Sequence, residues 1–182
     1  MSLPDLNRMA HTSLMAALIA VGALIHLPIG PVPVVLQNLF VLLAGLLLGS
    51  RRGLASVLLY LLIGAMGLPV FAGGKGGIAH FLGPTGGYLL GFAAAAFMTG
   101  LISERSPRSL AADICAAAAG TVIIYLVGVP WLKTVTQMTW TKALTVGMMP
   151  FLPGDILKAA AAVLLAKPAR LVLSRQVQSA SA

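Results

Sequence analysis

The chain has 182 residues, of which 59% are hydrophobic and 9% charged, with a formal net charge of +8 and a mean hydropathy of +0.98. A soluble domain averages about 25% charged residues, so this composition excludes a water-soluble fold and indicates an integral membrane protein. We attribute the positive charge to membrane topology and contact with the lipid bilayer, and we expect no nucleic-acid binding.

The apolar stretches define the candidate membrane helices. Uncharged runs cover residues 9–50, 53–74, 76–103 and 114–132. Each is close to or above the roughly 20 residues that cross the hydrocarbon core of a bilayer. Prolines and a glycine at 28–33 interrupt the first run, so it holds two helices. We therefore predict an all-α membrane protein with one domain, 1–182, and six transmembrane helices at about 12–28, 34–50, 53–68, 86–103, 109–129 and 153–173.

The second and third predicted helices are joined by a tight turn, Ser50-Arg51-Arg52-Gly53. Both helices are short, so we expect neighbouring helices to shield them or the bilayer to thin around them.

The basic residues predict the orientation of the helices. An even number of helices places both termini on one side, which receives eight basic residues: Arg8, Arg51, Arg52, Arg105, Arg108, Lys167, Arg170 and Arg175. The opposite side receives four: Lys75, Lys133, Lys142 and Lys158. By the positive-inside rule, we expect both termini in the cytoplasm.

Three outer segments then contain most of the unusual residues: 26–34, 69–85 and 130–152. The third segment is rich in tryptophan and methionine, which is typical of an interfacial helix anchored by aromatic residues. A hydrophobic lid over a pocket is the alternative.

Asp155 and Lys158 lie in the first turns of the last predicted helix, within PFLPGDILKAAAA. Residues three apart share a helix face, and a charge inside the membrane usually faces a cavity and has a partner. One interpretation is a salt bridge near the interface, with Lys158 reaching toward the headgroups. The other is a ligand pocket in which Asp155 accepts hydrogen bonds from ligand N–H groups and Lys158 meets a carboxylate or carbonyl.

Four motifs occur in order along the chain: GPVPVVLQNLFVLLAGLLLGSRRG from 30, YLLIGAMGLPVFAGG from 60, GPTGGYLLGF from 83 and PFLPGDILKAAAA from 150. Together they resemble the BioY family, the biotin-specific S-components of energy-coupling factor (ECF) transporters. The resemblance implies a six-helix protein of the bacterial cytoplasmic membrane that captures biotin from outside. It implies six substrate-binding residues: Asp155, Lys158, Tyr88, Gln37, Gly86 and Thr85.

The residue chemistry is compatible with biotin, which has a ureido ring with two N–H donors and a carbonyl acceptor, an apolar thiophane ring and an anionic chain. An acid, an amide and a lysine can pair with its polar atoms, which a pocket poor in water must satisfy. Alternatives remain: Gln37 caps its helix, Tyr88 is an interfacial anchor, and Lys75 is either a solvated loop charge or the partner of the biotin carboxylate in place of Lys158.

The first predicted helix has Ala16 and Ala20 at a spacing of four, which permits close approach of another helix. The resemblance implies that these residues dock on the transmembrane coupling subunit, which is bound to two ATPases. The alternative is packing within the monomer.

The sequence has no motif for ATP binding and no intramembrane row of carboxylates for proton transfer, so we expect a capture unit.

Two other classes of function compete with biotin capture. An S-component for another vitamin, such as thiamine or riboflavin, would share the helices but differ in the GPTGGY and PGDILK segments. A membrane enzyme would need a nucleophile with a base or a metal cluster, and the three histidines lack ligand spacing. We therefore predict no catalytic residues, no metal and no cofactor. A non-transport membrane protein is the least favoured alternative.

Overall fold

The structure of the protein is a computed structural model that describes residues 3–28, 30–107 and 109–179, with the backbone alone at residues 3, 4 and 173–179. Arg108 and the side chain of Arg175, both counted on the cytoplasmic side above, lie outside the described part. The elements are α1 Leu3–Leu24, β1 His26–Leu27, β2 Val34–Val35, α2 Gln37–Ala65, α3 Ala79–Leu82, α4 Gly86–Arg105, α5 Leu110–Thr136, α6 Trp140–Gly147 and α7 Leu152–Ser179.

Helix α2 doubles back at Gly49, where φ is 79° and ψ is −176°. A Cβ on Gly53 would lie 3.1 Å from the Ala44 carbonyl oxygen, whereas these residues would be about 13 Å apart along a straight helix. The arms before and after Gly49 correspond to the predicted helices at 34–50 and 53–68. The reversal begins one residue before the predicted turn, because glycine adopts the positive φ it needs.

The carboxylate of Glu104 stabilises this reversal. Its Oε1 accepts a hydrogen bond from the Ser50 backbone N–H at 3.0 Å, and its Oε2 accepts one from the Ser50 hydroxyl at 2.6 Å. An acceptor at the start of the second arm satisfies a backbone donor that has no partner within the helix.

The helices pack into one bundle in which α2 contacts α1, α4 and α7, and α4 contacts α5. Small residues permit the close approaches: a Cβ on Gly100 would lie 2.4 Å from the Gly49 carbonyl carbon. Such contacts are typical of membrane helices, whose association depends on close packing more than on exclusion of water.

Among the described residues, three helices are long and apolar enough to cross a membrane: α2, α4 and α5. The pair α6 and α7, bent by 49°, qualifies as a fourth if the two form one broken span. Each arm of α2 is shorter than the roughly 20 residues of a full crossing. The predicted number of six transmembrane helices therefore stays a prediction.

Several predicted boundaries differ from the structure: the first helix begins at Leu3 instead of about 12, and the last continues to Ser179 instead of ending near 173. The first helix ends at Leu24, and His26–Leu27 instead pairs antiparallel with Val34–Val35. Helix α5 continues through Pro130 to Thr136, because a transmembrane helix tolerates a proline when neighbouring groups satisfy the backbone. The third outer segment is therefore largely helical.

Candidate functional site

A cavity of about 350 Å³ lies at the end of the bundle that carries the segments 25–36, 66–85 and 137–151, which we call the loop end. Pockets for small molecules usually measure about 300–1,000 Å³. Side chains from α2, α4, α5 and α7, together with Phe151 of the third loop segment, form its floor and walls, and the first two loop segments form its rim. The floor and walls include Gln37, Asn38, Tyr88, Leu89, Phe92, Ile124, Tyr125, Phe151, Asp155 and Lys158.

The strongest polar feature of the cavity is the Asp155 cluster: Asn38, Tyr125, Asp155 and Lys158. The Asn38 amide lies 3.1 Å from both carboxylate oxygens of Asp155, and Lys158 Nζ donates to Oδ1 at 2.8 Å. The Tyr125 hydroxyl donates to Oδ2. The Asp155 and Lys158 side chains are only 4% and 11% exposed, so the ion pair is shielded from water.

Local sequence explains why Asp155 and Lys158 lie together. Leu152-Pro153-Gly154 opens α7, which places Asp155 in the first turn, where the helix dipole favours a negative charge. Lys158 follows three residues later on the same face. The two interpretations of the sequence are therefore compatible, since the residues form a salt bridge and also line the cavity.

Two buried polar atoms of the cavity lining lack a hydrogen-bond partner among the described residues: Gln37 Nε2 and Asn38 Oδ1. Gln37 is 2% exposed and Asn38 9%. Asn38 uses its amide nitrogen on Asp155, so its oxygen remains as an acceptor. A buried donor or acceptor without a partner costs about 1–3 kcal/mol, so a ligand that pairs with these atoms is favoured.

The glycine-rich motif before α4 contributes unequally to the cavity. Tyr88 lines it with its ring, while its hydroxyl donates to the Gly147 carbonyl oxygen at 2.7 Å and so connects α4 to α6. Thr85 also lines the cavity, and its hydroxyl oxygen lies 3.2 Å from His80 Nε2. Gly86 was predicted to bind the substrate, but it is not one of the residues that line this cavity. A Cβ there would lie 1.8 Å from the Phe81 carbonyl oxygen, so this glycine permits close packing behind the wall.

The loop segment 66–85 is fixed to the bundle by Phe71, which is fully buried. Its ring occupies space left by Gly64, where a Cβ would lie 2.2 Å from the ring. Phe71 also pairs with Lys75 in a β-bridge and stacks on His80, with ring centroids 5.1 Å apart. Lys75 and His80 are thereby held at the cavity rim.

The charge balance at the rim is positive. Lys75 lines the cavity, is exposed, and forms no ion pair within the described part of the chain. The pKa of His80 is lowered, first by burial and second by the nearby Lys75 charge. A positive rim favours an anionic group on a ligand.

Several cavity residues escaped the prediction: Asn38, Tyr125, His80 and Phe151. Asn38 had a signal, since it directly follows Gln37 at the start of an otherwise apolar helix. Tyr125 had none, because nothing local distinguishes a tyrosine that faces a carboxylate from one that faces lipid.

Helix α1 does not present the predicted pair as a single exposed face. Ala16 is 3% exposed and packs in the core of the bundle, and Ala20 is half-buried against it. This placement agrees with packing within the monomer for Ala16. Ser13 and Ala17, also four apart, are exposed.

Comparison with known proteins identifies the family. The model of the BioY family matches residues 1–175. The chain belongs to the BioY family. BioY relatives cover most of the chain: the probable biotin transporter BioY of Pyrococcus horikoshii is 47% identical over 85% of this chain and 91% of its own length.

Other BioY proteins agree in extent. The biotin transporter BioY of Rhizobium etli is 43% identical over 86% of this chain and 89% of its own length. The biotin transporter BioY of Thermotoga maritima is 44% identical over 88% of this chain and 94% of its own length.

A crystal structure of the S-component for biotin from an ECF-type ABC transporter has the same fold as this chain. The TM-score is 0.85 at 32% sequence identity, with 93% of this chain and 94% of the other covered. The protein is therefore an integral membrane protein with the S-component fold.

Proposed function

We propose that this protein captures biotin and passes it across the membrane as the substrate-binding subunit of an ECF-type transporter. The observation that carries the proposal is the Asp155 cluster at the cavity floor, beside polar atoms of Gln37 and Asn38 that have no hydrogen-bond partner among the residues that the structure describes. The names of the BioY relatives and the fold match support it.

The cavity floor complements a ureido ring. Asp155 and Asn38 Oδ1 accept hydrogen bonds from the two ring N–H groups, and Lys158 or Gln37 Nε2 donates to the ring carbonyl. Leu89, Phe92 and Ile124 offer an apolar wall for the thiophane ring. Each polar atom of the ligand thus meets a partner where water is scarce.

Lys75 is the better partner for the biotin carboxylate. Lys158 already donates to Asp155 at 2.8 Å on the cavity floor, whereas Lys75 lies at the rim without an ion-pair partner among the described residues. The ligand then lies with its ring at the floor and its charged end at the rim, beside Thr85 and His80.

The remaining partners follow from this role. The protein resides in the bacterial cytoplasmic membrane with cytoplasmic termini, and the energy for transport comes from a coupling subunit and its two ATPases. It needs no catalytic residue and no cofactor. Docking uses the side of α1 where Ser13 and Ala17 are exposed, with half-buried Ala20 at its edge and without Ala16.

Titration calorimetry on the detergent-purified protein tests the proposal, with biotin, thiamine and riboflavin as ligands. We expect heat of binding with biotin alone. If folded protein that is free of carried-over ligand gives no heat with biotin, the proposal fails, and a response to thiamine or riboflavin would identify an S-component for another vitamin.

Docking is tested by biotin uptake in the assembled transporter. Ala17→Leu adds bulk to the exposed side of α1, so we expect lower uptake with the biotin affinity of the isolated protein unchanged. Ala16→Leu is the matched variant: it overpacks the core, at a cost of about 1–3 kcal/mol of stability. Full uptake by the Ala17→Leu transporter would contradict this docking side.

A further inference from the structure

A second polar layer lies behind the cavity wall, between the two arms of α2. Gln37 lines the cavity from the start of the first arm, and Tyr60 lies on the second arm outside the cavity lining. Both side chains are almost fully buried, at 2% and 1% exposure. The reversal at Gly49 brings together two residues that are 23 positions apart in the sequence.

The side chains of Gln37 and Tyr60 are within range of each other, but they do not complete a hydrogen bond. Gln37 Nε2 and the Tyr60 hydroxyl each lack a partner within the described residues. Two adjacent unsatisfied groups in a buried site are uncommon.

Packing against Phe71 fixes the Tyr60 ring and therefore the position of its hydroxyl oxygen. It packs edge-to-face on Phe71, with ring centroids 5.5 Å apart and an interplanar angle of 77°. Phe71 is itself fully buried in the space beside Gly64. The packing of the ring therefore holds the hydroxyl oxygen in place.

We propose that Tyr60 is a positioning residue for the ligand pocket: its hydroxyl fixes the rotation of the Gln37 carboxamide and thereby sets which polar atom Gln37 presents to the ligand. A carboxamide has a donor end and an acceptor end. If Nε2 donates to Tyr60, Oε1 faces the cavity and accepts from a ring N–H. If Tyr60 donates to Oε1, Nε2 faces the carbonyl.

This inference rests on the proposed function, because the affinity for biotin is its readout. If Tyr60 serves only to fill the core, phenylalanine at the same position fills it equally well. If the hydroxyl positions Gln37, Tyr60→Phe weakens binding although the ring and its packing are retained. The apo protein should then lose no stability, since the variant removes a buried unsatisfied group.

A double-mutant cycle tests the inference. Biotin affinity is measured by calorimetry for the wild type, Tyr60→Phe, Gln37→Ala and the double variant, together with the melting temperature of each apo protein. We expect Tyr60→Phe to weaken binding about tenfold in the wild-type background and to have no effect in the Gln37→Ala background. Its melting temperature should equal or exceed that of the wild type.

Thr99→Val is the matched control. It removes a buried hydroxyl that donates to the Ala116 carbonyl oxygen, away from the cavity lining, so biotin affinity should be unchanged. Equal weakening by Tyr60→Phe in both backgrounds, or wild-type affinity in Tyr60→Phe, overturns the role of Tyr60 while biotin binding by the wild type stands. Failure of the wild type to bind biotin overturns the proposed function as well.

Discussion

Two ion pairs are buried at opposite ends of the described bundle, and they differ in what surrounds them. Asp155 and Lys158 lie at the loop end and line a cavity, next to polar atoms that have no partner in the described part of the chain. Asp113 and Arg170 lie at the other end, where Arg170 donates to both oxygens of Asp113 at 2.7 and 2.8 Å. Arg170 also donates to the Leu46 carbonyl oxygen and to Ser103.

The Asp113–Arg170 pair is surrounded by protein partners, whereas the Asp155–Lys158 pair faces the cavity. A guanidinium has five donors in a fixed plane, and here they connect α7 to α2, α4 and α5. Neither Asp113 nor Arg170 lines the cavity. A buried charge in a membrane protein therefore indicates a ligand site only when the surrounding polar atoms are incompletely satisfied and a cavity adjoins them.

Arg170→Met should give the largest effect, and it should be on stability. The variant leaves the Asp113 carboxylate buried without its partner, which costs about 3–5 kcal/mol. We expect a lower melting temperature of the apo protein in detergent and an unchanged biotin affinity. The double variant Arg170→Met with Asp113→Leu should recover part of the loss, and a weakened affinity in folded Arg170→Met protein would contradict the division of roles.

Asp155→Asn should give the next largest effect, on binding. The amide keeps the shape of the side chain but loses the charge that holds Lys158 and accepts from Asn38 and Tyr125. We expect biotin affinity to fall about a hundredfold, which corresponds to roughly 3 kcal/mol, by calorimetry on folded protein. Asp113→Asn is the matched control and should bind biotin normally. Equal biotin affinity of Asp155→Asn and Asp113→Asn would contradict the distinction between the two ion pairs.

Asn38→Ala and Ser103→Ala compare neutral partners of the two carboxylate clusters. Asn38 supports Asp155 and offers Oδ1 to the ligand, so we expect about tenfold weaker binding. Ser103 accepts from Arg170, so its loss should lower the melting temperature without changing affinity. Equal effects on affinity would show that the two ends are not separable.

Lys75→Ala should give the smallest effect, because Lys75 is exposed and water screens its charge. We expect biotin affinity to fall by about fivefold at most, and the loss to shrink at high salt. Biotin methyl ester, which lacks the carboxylate, should bind the variant and the wild type equally. An ester that also distinguishes them would show that Lys75 acts on another part of the ligand.

The sequence by itself determined the medium, the main helices and the chemistry of one cluster. The absence of charge over long runs indicated the membrane, and Ser50-Arg51-Arg52-Gly53 predicted a turn one residue after the reversal that the structure shows at Gly49. Asp155 and Lys158 were predicted to lie together because their spacing of three is a local property of a helix. Four motifs identified the family that the comparison then established.

Only the tertiary structure decided which residues meet across the bundle. Asn38 lies 117 positions from Asp155 and Tyr125 lies 30 positions away, and no local pattern relates them. The inward faces of α1 and α4 were equally hidden, so the sequence did not show that Ala16 packs in the core or that Gly86 packs against the Phe81 carbonyl group. In water a polar stripe distinguishes the outer face of a helix, but in lipid both faces are apolar, so the sequence does not record which side packs inward.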